Sequence, residues 1–199
     1  MSGALYSQLY LASASPRRQE LLTQLGVDFV QVINDFDETQ DSQETPLEYV
    51  QRLAEGKAHN AVAKVGSLDK PLLAADTIVV LQDKCLGKPK NLTDAAATLR
   101  LLSGKTHQVF TSIYMLDQKQ RAQATSITRV TFETLTESQI KAYCQTQESL
   151  GKAGSYAIQG VAASLIARIE GSYSGVMGLP LKETRELLDR FQIKYLLSL

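Results

Sequence analysis

The sequence predicts an α/β protein: a mixed twisted sheet with flanking helices and two lobes around a cleft. Three observations carry this reading. Short apolar or β-branched runs alternate with amphipathic stretches along most of the chain. Helix-start signals recur just ahead of the amphipathic stretches, at Ser15-Pro16, Thr45-Pro46-Leu47-Glu48 and Thr136-Glu137-Ser138-Gln139. Two strand candidates, His107–Leu116 and Thr128–Phe132, follow one another with no helix between them. They imply antiparallel pairing within a sheet that is otherwise built from βαβ units. No repeat, low-complexity tract or linker interrupts the 199 residues, so a single domain over 1–199 is expected.

The elements are justified in order. Leu9–Ala12 is an apolar run of buried-strand type. Ser15 is placed to cap a helix that has Pro16 at its first position and an apolar face of Leu21, Leu22 and Leu25; Gly26 is its stop. Val27–Ile33 is rich enough in β-branched residues for a second strand. After the Thr45 capping box, Leu47, Val50, Ala54, Ala58 and Ala61 recur at helical spacing. Leu72–Leu81 is an apolar run broken once, by Asp76-Thr77, and Thr93–Leu102 is a helix ended by Gly104. Beyond the paired strands, a helix runs toward Gln147, Val161–Ile169 is a strand candidate, and Pro180–Phe191 is the last helix.

Composition narrows the class. Lys plus Arg number 21 and Asp plus Glu number 21, so the chain carries no formal net charge. That balance argues against a nucleic-acid binder or a polybasic membrane-surface protein, both of which need a basic footprint. No stretch is long and apolar enough for a membrane span, and the short start, Met1 to Gln8, has no Lys or Arg and does not read as a secretory signal; a cytoplasmic protein is expected. Cys85 and Cys144 form no Cys-x-x-Cys pattern, which argues against structural zinc.

Several segments carry chemistry. Ser13-Ala14-Ser15-Pro16-Arg17-Arg18 joins a strand to a helix start, where free N–H groups attract anions. Two arginines there oppose the helix dipole unless an anion offsets them. Asp76 sits inside an apolar strand and must hold a metal, pair with a cation or act as an acid or base, unless it caps a turn. Asp35, Asp37 and Glu38 form an oxygen-only cluster that suits Mg²⁺ or Mn²⁺, but more simply an acidic surface loop. Lys57 lies beside the apolar face of the long helix and either snorkels to solvent or projects into a cleft. Lys88 lies in the turn Gly87-Lys88-Pro89. Ser103-Gly104-Lys105-Thr106 imitates the end of a P-loop, but Leu99 stands where the motif needs glycine and a helix precedes it. His59 and His107 lack partners at ligand spacing and read as structural. Gln159 either reads a base edge or is a surface amide, and the glycine-dense stretch Gly171–Pro180 either closes over a ligand or is an ordinary loop.

Together the motifs Ser-x-Ser-Pro-Arg-Arg, Ala-Asp-Thr, Gly-Lys-Pro, Leu-Ser-Gly-Lys-Thr-His and Lys-Ala-Gly…Ile-Gln-Gly appear in one order over nearly the whole chain. In this the sequence resembles the Maf family of nucleotide pyrophosphatases. The resemblance implies a fold like that of inosine triphosphate pyrophosphatases, usually a homodimer, and hydrolysis of a nucleoside triphosphate to monophosphate and pyrophosphate with a divalent cation, Mg²⁺ or Mn²⁺. It implies Asp76 as the catalytic proton acceptor, acting directly or through the metal. It places Ser13, Arg18, Lys57 and Lys88 at phosphate positions, and Glu38 with Asp76 at the metal. Arg17, Thr77 and Gln159 match the substrate discriminators of the subfamily acting on dTTP and UTP; the sister subfamily acting on 7-methyl-GTP carries Trp, Gln and Glu there. The resemblance also connects the chain to removal of modified pyrimidine nucleotides and to arrest of septum formation, so a non-hydrolytic regulator of division is the alternative. Gly151 departs from the family's Asp, which would leave Lys152 more loosely held, and Ser155 replaces a common Ala.

Overall fold

The structure, a computed structural model, describes residues 6–33 and 35–198. The reading of the chain start therefore lies outside the described residues as far as Leu5.

The strands are β1 (Gln8–Ala12), β2 (Asp28–Gln31), β3 (Leu72–Leu81), β4 (Lys84–Leu86), β5 (Thr106–Leu116), β6 (Arg121–Phe132) and β7 (Ile166–Glu170). They form one mixed sheet in the order β2-β1-β3-β5-β6-β7, with β4 added against β3. β1 is parallel to β2 and β3, and the other pairs are antiparallel. The helices are α1 (Pro16–Gln24), α2 (Pro46–Val65), α3 (Leu92–Leu102), α4 (Glu137–Gln145), α5 (Tyr173–Met177) and α6 (Leu181–Arg190). Among the described residues no helix is long and apolar enough to cross a membrane.

The mixed sheet and the helices α1, α2, α3, α4 and α6 are those expected, whereas the short β4 and α5 are not, and the capping boxes at Thr45 and Thr136 are both formed. Ser15 holds the N-cap backbone geometry, but its side chain makes no capping bond; instead its N–H donates to Ser13 Oγ at 3.2 Å. β6 is longer than expected, because β5 pairs with it from Thr106 to Leu116. The strand expected over Val161–Ile169 is corrected: Val161–Leu165 is a 3₁₀ turn and the strand starts at Ile166. The Glu148 carboxylate accepts from the N–H groups of Val161 (2.9 Å) and Ala162 (3.2 Å) and curls the chain there.

Strand periodicity sorts the core around β3. Leu72 and Ala74 pack under α2 with Ala54, Ala58 and Ala61. Leu73 and Ala75 face the other side, with Leu22 of α1 and Leu187 of α6. Asp76 thus falls on the α2 face and Thr77 on the α1 face. One edge of β3 is paired with β5 from Leu72 to Val80. The other edge meets β1 only at Leu72–Ala74 and β4 only at Val79–Leu81. The sheet therefore splits at 75–78, and the chains leaving β1 and β4 flank the gap.

His107 is 1 % exposed, and its Nε2 is 2.8 Å from Tyr156 Oη. Burial drives its pKa from 6.5 down to about 4. Between those values the unfolded chain takes up a proton that the folded one refuses. Stability therefore falls by about 3 kcal/mol as pH drops through this window. Urea titrations at pH 7, 5.5 and 4.5 should show that decline, and His107→Gln should flatten it. An equally steep decline in the variant would contradict the assignment.

Candidate active site

The gap in the sheet opens into a cleft of about 770 Å³. The nine residues that the resemblance places at the site all line it: Ser13, Arg17, Arg18, Glu38, Lys57, Asp76, Thr77, Lys88 and Gln159. Sequence reasoning had them on six separate segments, and β3 brings them together.

On the α2 face, Asp76 is 7 % exposed and Lys57 is 8 % exposed. Lys57 Nζ forms a close ion pair with Asp76 Oδ1 and donates to Glu38 Oε1 at 2.6 Å. Lys57 therefore does not snorkel; its ammonium lies between two carboxylates. Lys88 Nζ donates to the other Glu38 oxygen at 3.2 Å. Burial raises the pKa of Glu38, but the hydrogen bonds and charges of Lys57 and Lys88 together hold it below the usual carboxylate value.

The loop that carries Glu38 is fastened along one stripe of α2. Tyr49 Oη donates to the Glu38 carbonyl at 2.5 Å, and Arg52 Nη2 donates to the Thr39 carbonyl at 2.9 Å. At Gly56 a Cβ would lie 2.2 Å from the Phe36 ring, so glycine in mid-helix is what lets that ring dock. Glycine there costs about 1 kcal/mol of helix propensity. The spacing of Tyr49, Arg52 and Gly56 was visible in the sequence, but not what it faces. Asp35 and Asp37 stay out of the site. Asp35 pairs with Lys64 at 2.8 Å, and Asp37 accepts from the Thr39 N–H at 2.9 Å. The acidic cluster is thus a surface loop from which Glu38 alone enters the cleft.

On the α1 face, Arg18 is held by three neutral acceptors. Nε donates to the Gly178 carbonyl at 2.8 Å, Nη1 to Ser13 Oγ at 3.1 Å and Nη2 to Thr77 Oγ1 at 3.2 Å. No carboxylate lies within ion-pair distance of it among the described residues. Burial lowers the pKa of Arg18, and the attraction of Asp76 only partly compensates. Arg17 has no hydrogen-bond partner among the described residues, and burial lowers its pKa as well. Two desolvated guanidiniums at a helix start make an anion site.

The glycine-dense stretch contains α5, and its Gly178 carbonyl and Met177 line the cleft. Gln159 stands exposed at the rim. Lys152 also lines the cleft. Its Nζ has a 3.3 Å bond to the Leu150 carbonyl, and burial, with repulsion from Arg17 second, lowers its pKa. Tyr49, Gln40 and Cys85 belong to the lining too, and sequence reasoning missed them in that role. Both cysteines are free, and His59 is an exposed partner of Glu55.

Five cationic side chains against two carboxylates give the cleft a positive excess, although the chain as a whole is neutral. An α/β fold whose split sheet exposes a buried acid within such a ring defines a class of protein built to receive a polyanion. The chain belongs to the Maf family: the family model described as "Maf-like protein" matches residues 8–191. It is 51 % identical over 183 residues to a protein of Salmonella typhimurium named dTTP/UTP pyrophosphatase, with 92 % of each chain covered. Proteins of the same name from Escherichia coli and Methylobacillus flagellatus are 48 % and 50 % identical, covering 93 % and 92 % of each chain. A solved structure of the Staphylococcus aureus Ham1 protein aligns with a TM-score of 0.44 at 16 % identity, over 63 % of this chain and 71 % of that one.

Proposed function

We propose that the protein hydrolyses dTTP and UTP, with their modified pyrimidine counterparts, to the monophosphate and pyrophosphate. The observation that carries this reading is the position of Asp76: a buried carboxylate within a cleft of excess positive charge. The names of relatives about half identical over nearly the whole chain supply the substrate.

The chemistry follows from the charges. Arg17, Arg18, Lys57 and Lys88 oppose the roughly four negative charges of a triphosphate and stabilise charge moving to the leaving pyrophosphate. Asp76 Oδ1 is occupied by Lys57, and Oδ2 accepts no hydrogen bond among the described residues. Oδ2 takes a proton from water as the water oxygen bonds to phosphorus. The P–O bond of the α–β anhydride breaks, and pyrophosphate leaves with that electron pair. Arg17, Thr77 and Gln159 discriminate among bases.

Glu38 and Asp76 are the residues that would hold a divalent cation. The donor types fit: the Glu38 and Asp76 carboxylates both reach Lys57 Nζ and so lie on either side of one cation already, and Mg²⁺ takes one or two carboxylates together with substrate phosphate oxygens and water. No group of three or more His, Cys, Asp or Glu side chains suited to a metal occurs among the described residues, so the remaining ligands would come from substrate and water. When bound, such a cation neutralises phosphate charge and acidifies water.

The same reading has a single-domain homodimer working in the cytoplasm, with no nucleic-acid or membrane partner. A non-hydrolytic regulator of septum formation is disfavoured, because a carboxylate facing a polyanion only repels it.

A panel of nucleotides with Mg²⁺, scored for pyrophosphate, tests the substrate class. Turnover of UTP and dTTP with little of ATP or GTP is expected. A preference for 7-methyl-GTP would contradict it.

A further inference from the structure

Thr111 lies on β5 directly opposite Thr77, fully buried and away from the reacting groups. Its hydroxyl donates to the Gly175 carbonyl at 2.7 Å. A carbonyl can only accept, and a hydroxyl has one proton, so that proton is committed. The 2.9 Å contact between the two threonine hydroxyls must then run from Thr77 to Thr111. Arg18 can only donate, so Thr77 Oγ1 accepts from it at 3.2 Å. The direction of the whole chain is fixed: Arg18 to Thr77 to Thr111 to Gly175. Thr77 has spent its proton inward. Toward the cleft, which it lines, it offers a lone pair and no donor.

We propose that Thr111 is a positioning residue for specificity: it fixes Thr77 as an acceptor and thereby favours bases that present an N–H over bases that present a lone pair. The proposal rests on the dTTP/UTP reading and on Thr77 meeting the base. Uracil and thymine carry a proton at N3, whereas cytosine carries a lone pair at the same place. An oxygen that can only accept attracts the first and repels the second, and a site left with mismatched polar groups rejects strongly. With the Thr111 hydroxyl removed, Thr77 is free to turn its proton into the cleft and receive cytosine as well.

The test compares kcat/KM for UTP and CTP in the wild type, Thr111→Val and Thr111→Ser. In Thr111→Val the UTP-to-CTP ratio is expected to fall about tenfold, from relative gain on CTP and a raised KM for UTP. Thr111→Ser, which keeps the hydroxyl, should restore the wild-type ratio. A ratio that stays within about twofold in Thr111→Val, or falls equally in Thr111→Ser, would overturn the proposal, since loss of packing alone lowers both substrates together. If Thr111→Val does not fold, Thr111→Cys, whose thiol is a weak donor, is read in the same way. A wild-type protein inert toward UTP would overturn the functional reading itself. Wild-type turnover with an unmoved ratio would overturn this inference alone.

Discussion

Asp76→Asn keeps the fold and lowers pyrophosphate release from UTP by about 10³-fold. The amide has the shape of the carboxyl and can still accept from Lys57, which also keeps its 2.6 Å bond to Glu38. What the variant lacks is a group that takes a proton from water, a function usually worth about 10²–10⁴ in rate. KM for UTP should change little or fall, because removing a negative charge from the cleft does not weaken binding of a polyanion. Steady-state kinetics beside a thermal melt check this, and turnover within tenfold of the wild type would remove Asp76 from the chemistry.

Lys57→Met has the second large effect, on stability as well as rate. Methionine keeps the length of the stem and its packing under β3, but leaves Asp76 buried without its counter-ion and facing Glu38. Breaking a buried pair by deleting one partner costs about 3–5 kcal/mol. Activity should fall by about 10²-fold or more with the loss of a phosphate-facing cation. Millimolar Mg²⁺ should return part of the lost stability, since a divalent ion between the two carboxylates replaces the ammonium and binds only the folded state. Urea titrations with and without Mg²⁺ decide. A variant as stable as the wild type would mean that the Lys57–Asp76 pair carries no net weight.

What the sequence disclosed is what local physics controls. The Thr45 box announces α2 because Thr45 and Glu48 bond each other's backbone N–H within one turn. Asp76 declared itself by breaking a rule, a charge inside a strand with apolar neighbours on both sides. Arg17 and Arg18 did the same at a helix start that disfavours cations. The split of β3 was hidden, because it depends on where two other strands stop, one of them only three residues long. The turn at Val161 was hidden for a related reason: a glutamate thirteen residues upstream competes with the sheet for its N–H. Tyr49, Arg52 and Gly56 showed helical spacing, but only the fold reveals the loop they fasten. Nothing local marks Thr111 among the strand threonines, because its partner, the Gly175 carbonyl, lies 64 positions further along the chain.

The central claim is that a single acid in a cationic cleft directs water to the α–β anhydride. ³¹P NMR of UTP turning over with Mg²⁺ tests it most directly. The account predicts that the three triphosphate resonances give way to UMP and one pyrophosphate signal, with no UDP at any time. Orthophosphate and UDP appearing together would place the cut at the γ-phosphate and contradict the account.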